Sequence, residues 1–193
     1  EAAQARPIPP ERWSEPYVMR VAFGHSIAVT PVHLAAAYAT LVNGGLRVRP
    51  TLLRDAAPPG EEDRVIAPAI SRAIRAMLRK VVTEGTGKGA DVPGYLVGGK
   101  TGSAEKVGPG GYQHDRLLST FAAVFPVSDP QYVLVISLDE PEIFAAGRMR
   151  RTAGWTAAPL AGLAIARLAP LLGLRPKPEI APERDAPALM VRR

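Results

Sequence analysis

The chain has no cysteine among its 193 residues. Disulfides and thiolate metal ligands are therefore excluded, and the redox compartment stays open. Histidine is scarce as well. His25, His33 and His114 lie far apart and no H-E-x-x-H spacing occurs, so neither a metal nor any other cofactor is expected. G-x-S-x-G is missing, which removes the nucleophile elbow of hydrolases, and no spacing favours a triad built on Ser119. Aromatic residues make up only 6% of the chain, and no basic run is interleaved with them. A net charge of +6 can mean nucleic acid, but without that interleaving no nucleic-acid partner is expected. No apolar run reaches transmembrane length, and no signal peptide is visible. The first residue is Glu rather than Met, so the chain reads as a piece of a longer protein, with any membrane anchor before Glu1.

What is present suits one soluble domain: 47% hydrophobic and 22% charged residues, with enough length for a core. Residues 1–19 read as an irregular, Pro- and charge-rich lead-in. "TPVHLAAAYATLVNGG" (30–45) predicts a helix with Thr30 as N-cap, Pro31 in the first turn and Asn43-Gly44-Gly45 as the stop. A second helix is predicted over about 68–84. Its Arg72, Arg75, Arg79 and Lys80 read as a solvated face alternating with Ile70, Ile74, Met77, Leu78 and Val81. Strands are predicted over 95–106, 117–127 and 132–139, the last two joined by the turn "SDPQ". A third, apolar helix spans 154–173 despite Pro159, and 175–193 reads as a flexible tail. Grouped strands between helices predict an α+β fold, an antiparallel sheet flanked by helices.

"PGYLVGGKTGSAEK" (93–106) holds three overlapping signals. Gly94 to Thr101 has P-loop spacing, but no strand precedes it and Gly102 cannot open a helix. Ser103 and Lys106 have S-x-x-K spacing. That pair works when its Ser begins a helix and the Lys lies one turn on, whereas a strand points such residues to opposite faces. Lys100-Thr101-Gly102 is the third signal. Gly98, Gly99 and Gly102 strip a strand of side chains, as happens where a backbone or ligand must approach closely. Alternation puts the Thr101 and Ser103 hydroxyls on one face, with the Lys100 ammonium tucked beneath the other. Such a bare edge suits an extended peptide ending in a carboxylate. The same residues suit a glycine-rich bulge with a surface lysine, and this stretch alone leaves both open.

Four longer runs add to it: "GHSIAVTPVHLAAAYATLVNGG" (24–45), "VVTEGTGKGADVPGYLVGGKTGSAEK" (81–106), "STFAAVFPVSDPQYVLVISLDEP" (119–141) and "TAGWTAAPLAGLAIA" (152–166). In this order they resemble the C-terminal half of the transpeptidase domain of penicillin-binding proteins, most closely the class B, cell-division type. The resemblance implies the penicillin-binding protein/serine β-lactamase-like fold, with residues 20–174 as the C-terminal part of the domain. It implies a D,D-transpeptidase of septal peptidoglycan cross-linking, on the periplasmic side of the bacterial inner membrane. The implied partners are a stem peptide ending in D-Ala-D-Ala, β-lactam antibiotics, the N-terminal half of the same domain and division-complex proteins. Lys100 would organise charge around the nucleophile and the substrate carboxylate. Thr101 and Ser103 would hydrogen-bond that carboxylate, Gly102 would leave room for substrate, and the Ser103 backbone N–H would be an oxyanion-hole donor. A helix-borne S-x-x-K and an S-x-N are missing, so nucleophile and base are expected before Glu1 and the isolated chain is expected to be inactive. A related D,D-carboxypeptidase or β-lactamase, or a non-catalytic module docking onto a division complex, are the alternatives.

Overall fold

The structure is a computed structural model that describes residues 6–53 and 55–177. Elements run in the order α1 (Glu15–Ala22), α2 (Pro31–Val42), α3 (Pro68–Thr83), β1 (Gly98–Gly108), β2 (Gly111–Phe125), β3 (Tyr132–Asp139), β4 (Ile143–Ala145), β5 (Arg148–Arg150) and α4 (Ala157–Leu171). The three long strands form an antiparallel sheet in the order β1-β2-β3. This is the predicted α+β arrangement.

The apolar run of β2 explains the layering. Phe121, Ala123 and Phe125 point to one face and pack with Ala157, Ala158, Ala161, Ile165 and Ala169 of α4. Val124 points to the other and packs with Val42 of α2 and Leu78 of α3. A strand covered on both faces needs a continuous apolar run rather than alternation. The small residues of α4 let it sit close: a Cβ on Gly162 would lie 2.7 Å from the Gly89 carbonyl oxygen. Pro159 falls in the first turn of α4, where its missing N–H costs nothing.

Helix α2 begins as predicted. Thr30 Oγ1 accepts from the His33 N–H at 3.2 Å, and the His33 ring accepts from the Thr30 N–H, closing a capping box. His33 is half-buried at this cap. At the other end Asn43 Oδ1 accepts from the N–H groups of Gly45 and Leu46.

Helix α3 departs from the expectation of a solvated arginine face. Its buried residues are Ser71, Leu78 and Val82, while Ile70 and Met77 are about half exposed. Arg75 Nη1 donates to the Ser128 carbonyl. Arg79 Nη1 donates to the Val97 carbonyl at 2.8 Å and to Asp91 Oδ1 at 2.7 Å. The reason is tertiary: α3 lies over the start of β1, where carbonyls beside it need donors.

A helix and a hairpin were not expected. Helix α1 interrupts the irregular lead-in, beginning after Ser14 with Glu15 and Pro16 in its first turn. The β4–β5 hairpin turns on Ala146 and Gly147, both with positive φ (51° and 74°). An alanine there hides the turn from sequence reading, which looks for Asn, Asp or Gly. Strands β1 and β2 also run further toward each other than predicted and meet at Pro109-Gly110. The expected flexible tail lies outside the described residues from 178 onward.

Candidate substrate-binding strand

Strand β1 pairs with β2 alone, so its other edge carries no strand among the described residues. Lys100, Thr101, Gly102 and Ser103 occupy consecutive positions opposite Ala122, Phe121, Thr120 and Ser119. No helix starts here, which disposes of the P-loop geometry. Ser103 and Lys106 share the strand, with a bulge between Glu105 and Lys106, and Lys106 is drawn off to Asp139 and to Glu140 Oε1. A serine–lysine pair on one helix face is not what this spacing makes.

The glycines divide their work. A Cβ on Gly98 would lie 2.8 Å from Val127 and 3.3 Å from the Arg79 backbone nitrogen. One on Gly99 would lie 2.5 Å from the Phe121 ring and 2.6 Å from the Ala122 carbonyl oxygen. These two positions are bare for internal packing. Gly102 differs: its nearest neighbour would be the Thr120 carbonyl at 3.9 Å. Only there is the space open to a ligand.

Lys100 is exposed rather than tucked beneath the strand. Its Nζ donates to the Thr101 carbonyl at 2.8 Å. The Thr101 and Ser103 hydroxyls share a face, as alternation requires, and each has one partner. Thr101 Oγ1 lies 2.7 Å from Thr86 Oγ1. Ser103 Oγ accepts from the Ala153 N–H at 3.0 Å. One strand over, the buried Ser119 donates to the Arg151 carbonyl at 2.6 Å. These two bonds hold the segment Arg151–Ala153, and with it the β4–β5 hairpin, against β1 and β2. Arg150 of that hairpin stacks over Trp155, 4.6 Å from the ring centroid.

Beyond the site the β1–β2 hairpin is laced by charge. Arg116 Nε donates to Glu140 Oε1 at 2.7 Å, and Lys106 donates to the same oxygen at 2.8 Å. The bonds from Arg116 and Lys106 hold the Glu140 carboxyl well below its ordinary value, at about 2. Glu105 beside His114 raises that imidazole's pKa. His25, His33 and His114 are not gathered, and no group of three or more metal-ligating side chains occurs among the described residues.

Thr86 and Arg151 escaped the sequence reading, as did the bond from Ser119 to Arg151. Thr86 sits in a turn fifteen residues from Thr101, and no periodicity links a loop hydroxyl to a strand hydroxyl.

The family model "Penicillin binding protein transpeptidase domain" matches residues 2–161. The chain is 40% identical over 195 residues to the "Probable peptidoglycan D,D-transpeptidase FtsI" of Caulobacter vibrioides, covering 95% of this chain and 33% of that protein. It is 35% identical to the "Peptidoglycan D,D-transpeptidase FtsI" of Escherichia coli K12, covering 68% of this chain and 22% of that protein. Among solved structures it is similar to penicillin binding protein 3 of Mycobacterium tuberculosis complexed with ampicillin, with TM-score 0.74, 30% identity, and 91% of this chain and 42% of that one covered. The transpeptidase domain of Burkholderia pseudomallei penicillin-binding protein 3 matches with TM-score 0.75 and 30% identity, over 86% of this chain and 49% of that one. The chain thus spans between about a fifth and a third of the curated relatives named here.

Proposed function

This chain belongs to the penicillin-binding protein transpeptidase family, and we propose that it supplies the substrate-binding strand of a peptidoglycan D,D-transpeptidase serving septal cross-linking. Residues 20–174 are its part of the domain. The observation that carries the reading is the open edge of β1, with an exposed lysine at 100 and clear space over Gly102. An extended stem peptide ending in D-Ala-D-Ala lies along that edge, and Gly102 offers no side chain to hold it off.

In this reading a serine from a preceding segment of the parent protein attacks the carbonyl before the terminal D-alanine. The carbonyl oxygen takes the negative charge of the tetrahedral intermediate, with the Ser103 N–H as one of the donors that receive it. D-Alanine leaves, and an amine from a neighbouring strand resolves the acyl-enzyme. The Lys100 ammonium supplies positive charge beside the substrate carboxylate and the nucleophile. Thr101 and Ser103 each keep hydrogen-bonding capacity beyond their internal bond, since a hydroxyl has one donor and two acceptor sites. A β-lactam enters the same place and acylates the same serine. No helix of the described residues is long and apolar enough to cross a membrane. A periplasmic position on the bacterial inner membrane is part of the same proposal.

The test is reassembly. Co-expression with the segment that carries the nucleophile is expected to give a stoichiometric penicillin adduct by intact mass, on a serine outside this chain. An adduct on Ser103 would overturn the assignment.

A further inference from the structure

Thr86 stands in the turn after α3 at the rim of the open β1 edge, and its hydroxyl lies 2.7 Å from that of Thr101. The turn is held in place independently of any ligand. Gly85 and Gly87 both donate to the Val81 carbonyl, at 3.1 and 2.9 Å. Gly87 lies under the Phe121 ring, so that a Cβ there would be 3.2 Å from it. Gly154 lets the α4 approach segment close on the Thr86 carbonyl, with 2.7 Å left for a Cβ. The Thr86 hydroxyl therefore meets Thr101 from a fixed position.

Two hydroxyls at this distance share one hydrogen bond, which runs in either sense. If Thr101 donates to Thr86, Thr101 offers only lone pairs to the open edge, and these repel an anion. If Thr86 donates, the Thr101 proton is free to turn outward. A carboxylate at the edge selects the second sense, and the chain from Thr86 through Thr101 to the carboxylate is then cooperative. We propose that Thr86 is a positioning residue for the substrate carboxylate, orienting the Thr101 hydroxyl as a donor toward it. This rests on the reading of β1 given above.

The experiment uses the parent polypeptide that joins this chain to the nucleophile-bearing segment. Benzylpenicillin and its methyl ester differ in the carboxylate alone. Second-order acylation rates for both are read by intact mass, and the carboxylate-to-ester ratio is formed within each variant, so that loss of folded protein cancels. Thr86→Val is expected to lower the ratio about tenfold, the scale of a hydrogen bond involving a charged group. Thr86→Ala, which adds no bulk, is expected to do the same, and Thr86→Ser to return the ratio to within about twofold of the parent. A ratio unchanged in Thr86→Val and Thr86→Ala but lowered in Thr101→Val overturns the role of Thr86 alone. A ratio unchanged in all three overturns the carboxylate reading of the strand, and this proposal with it.

Discussion

Removing the Lys100 ammonium takes away the one charge that the strand 98–103 carries, and leaves its backbone in place. In the reassembled domain Lys100→Ala is expected to slow penicillin acylation by about two orders of magnitude, the usual worth of a preorganised charge at such sites. Stopped-flow acylation measures it, and an unchanged rate would remove Lys100 from the site. Gly102 and Gly99 make a matched pair. Gly102→Ala meets nothing closer than 3.9 Å, so the thermal midpoint is expected to hold while acylation falls, because the new methyl occupies the ligand's path. Gly99→Ala drives a methyl onto the Phe121 ring and the Ala122 carbonyl, and is expected to cost about 3 kcal/mol. Urea unfolding of the two variants separates packing from ligand access. Arg79 is of the packing kind. Arg79→Ala leaves the buried Val97 carbonyl without its donor and is expected to lower stability by about 2 kcal/mol, roughly 4–8 °C in midpoint.

The β1–β2 hairpin is tied to the end of β3 by charge rather than by apolar contact. Glu140 accepts from both Arg116 and Lys106. Its carboxyl, lowered from 4.5 to about 2 in the folded chain, contributes stability that is complete above pH 4.5. That contribution is lost as the pH falls from there through about 2. Carboxyl-carbon NMR is expected to show Glu140 titrating at about 2, and Arg116→Ala to move it back toward its ordinary value. An unshifted Glu140 in the parent would show that the ion cluster does not persist in solution. Helix α4 works by the opposite means: apart from Ile165 its buried face is Ala and Gly, and closeness to the sheet and to Gly89 replaces most side-chain bulk.

Across the whole molecule the apolar surface is unevenly closed. Leu160, Leu163 and Leu171 on the outer side of α4 are 41%, 62% and 82% exposed, and Phe23 and Trp13 before α2 are 70% and 61% exposed. The chain covers 49% of the solved Burkholderia pseudomallei transpeptidase domain, and in the function proposed above the nucleophile comes from outside these residues. The isolated chain is accordingly expected to form no covalent adduct with a labelled penicillin. Intact-mass measurement after incubation is the check, and a stoichiometric adduct would mean that a nucleophile lies within these residues.

Local chemistry was enough for α2, α3 and α4 and for the third strand. Thr30-Pro31 and Asn43-Gly44-Gly45 bound α2 because caps and stops act within a turn of the residues that make them. Tyr132–Asp139 was read to its ends because Pro130 and the apolar run after it are adjacent in sequence. The Lys-Thr-Gly stretch was placed on a strand for the same reason: glycines on both sides forbid a helix. Only the tertiary structure decided which glycines face a ligand, since Gly98, Gly99 and Gly102 look alike until Phe121, α3 and open space are set beside them. It also decided that Arg79 is a packing residue, that Ala146-Gly147 makes a hairpin, and that Thr86 reaches Thr101. Each of these depends on a partner distant in sequence, and no local preference of the chain encodes that distance.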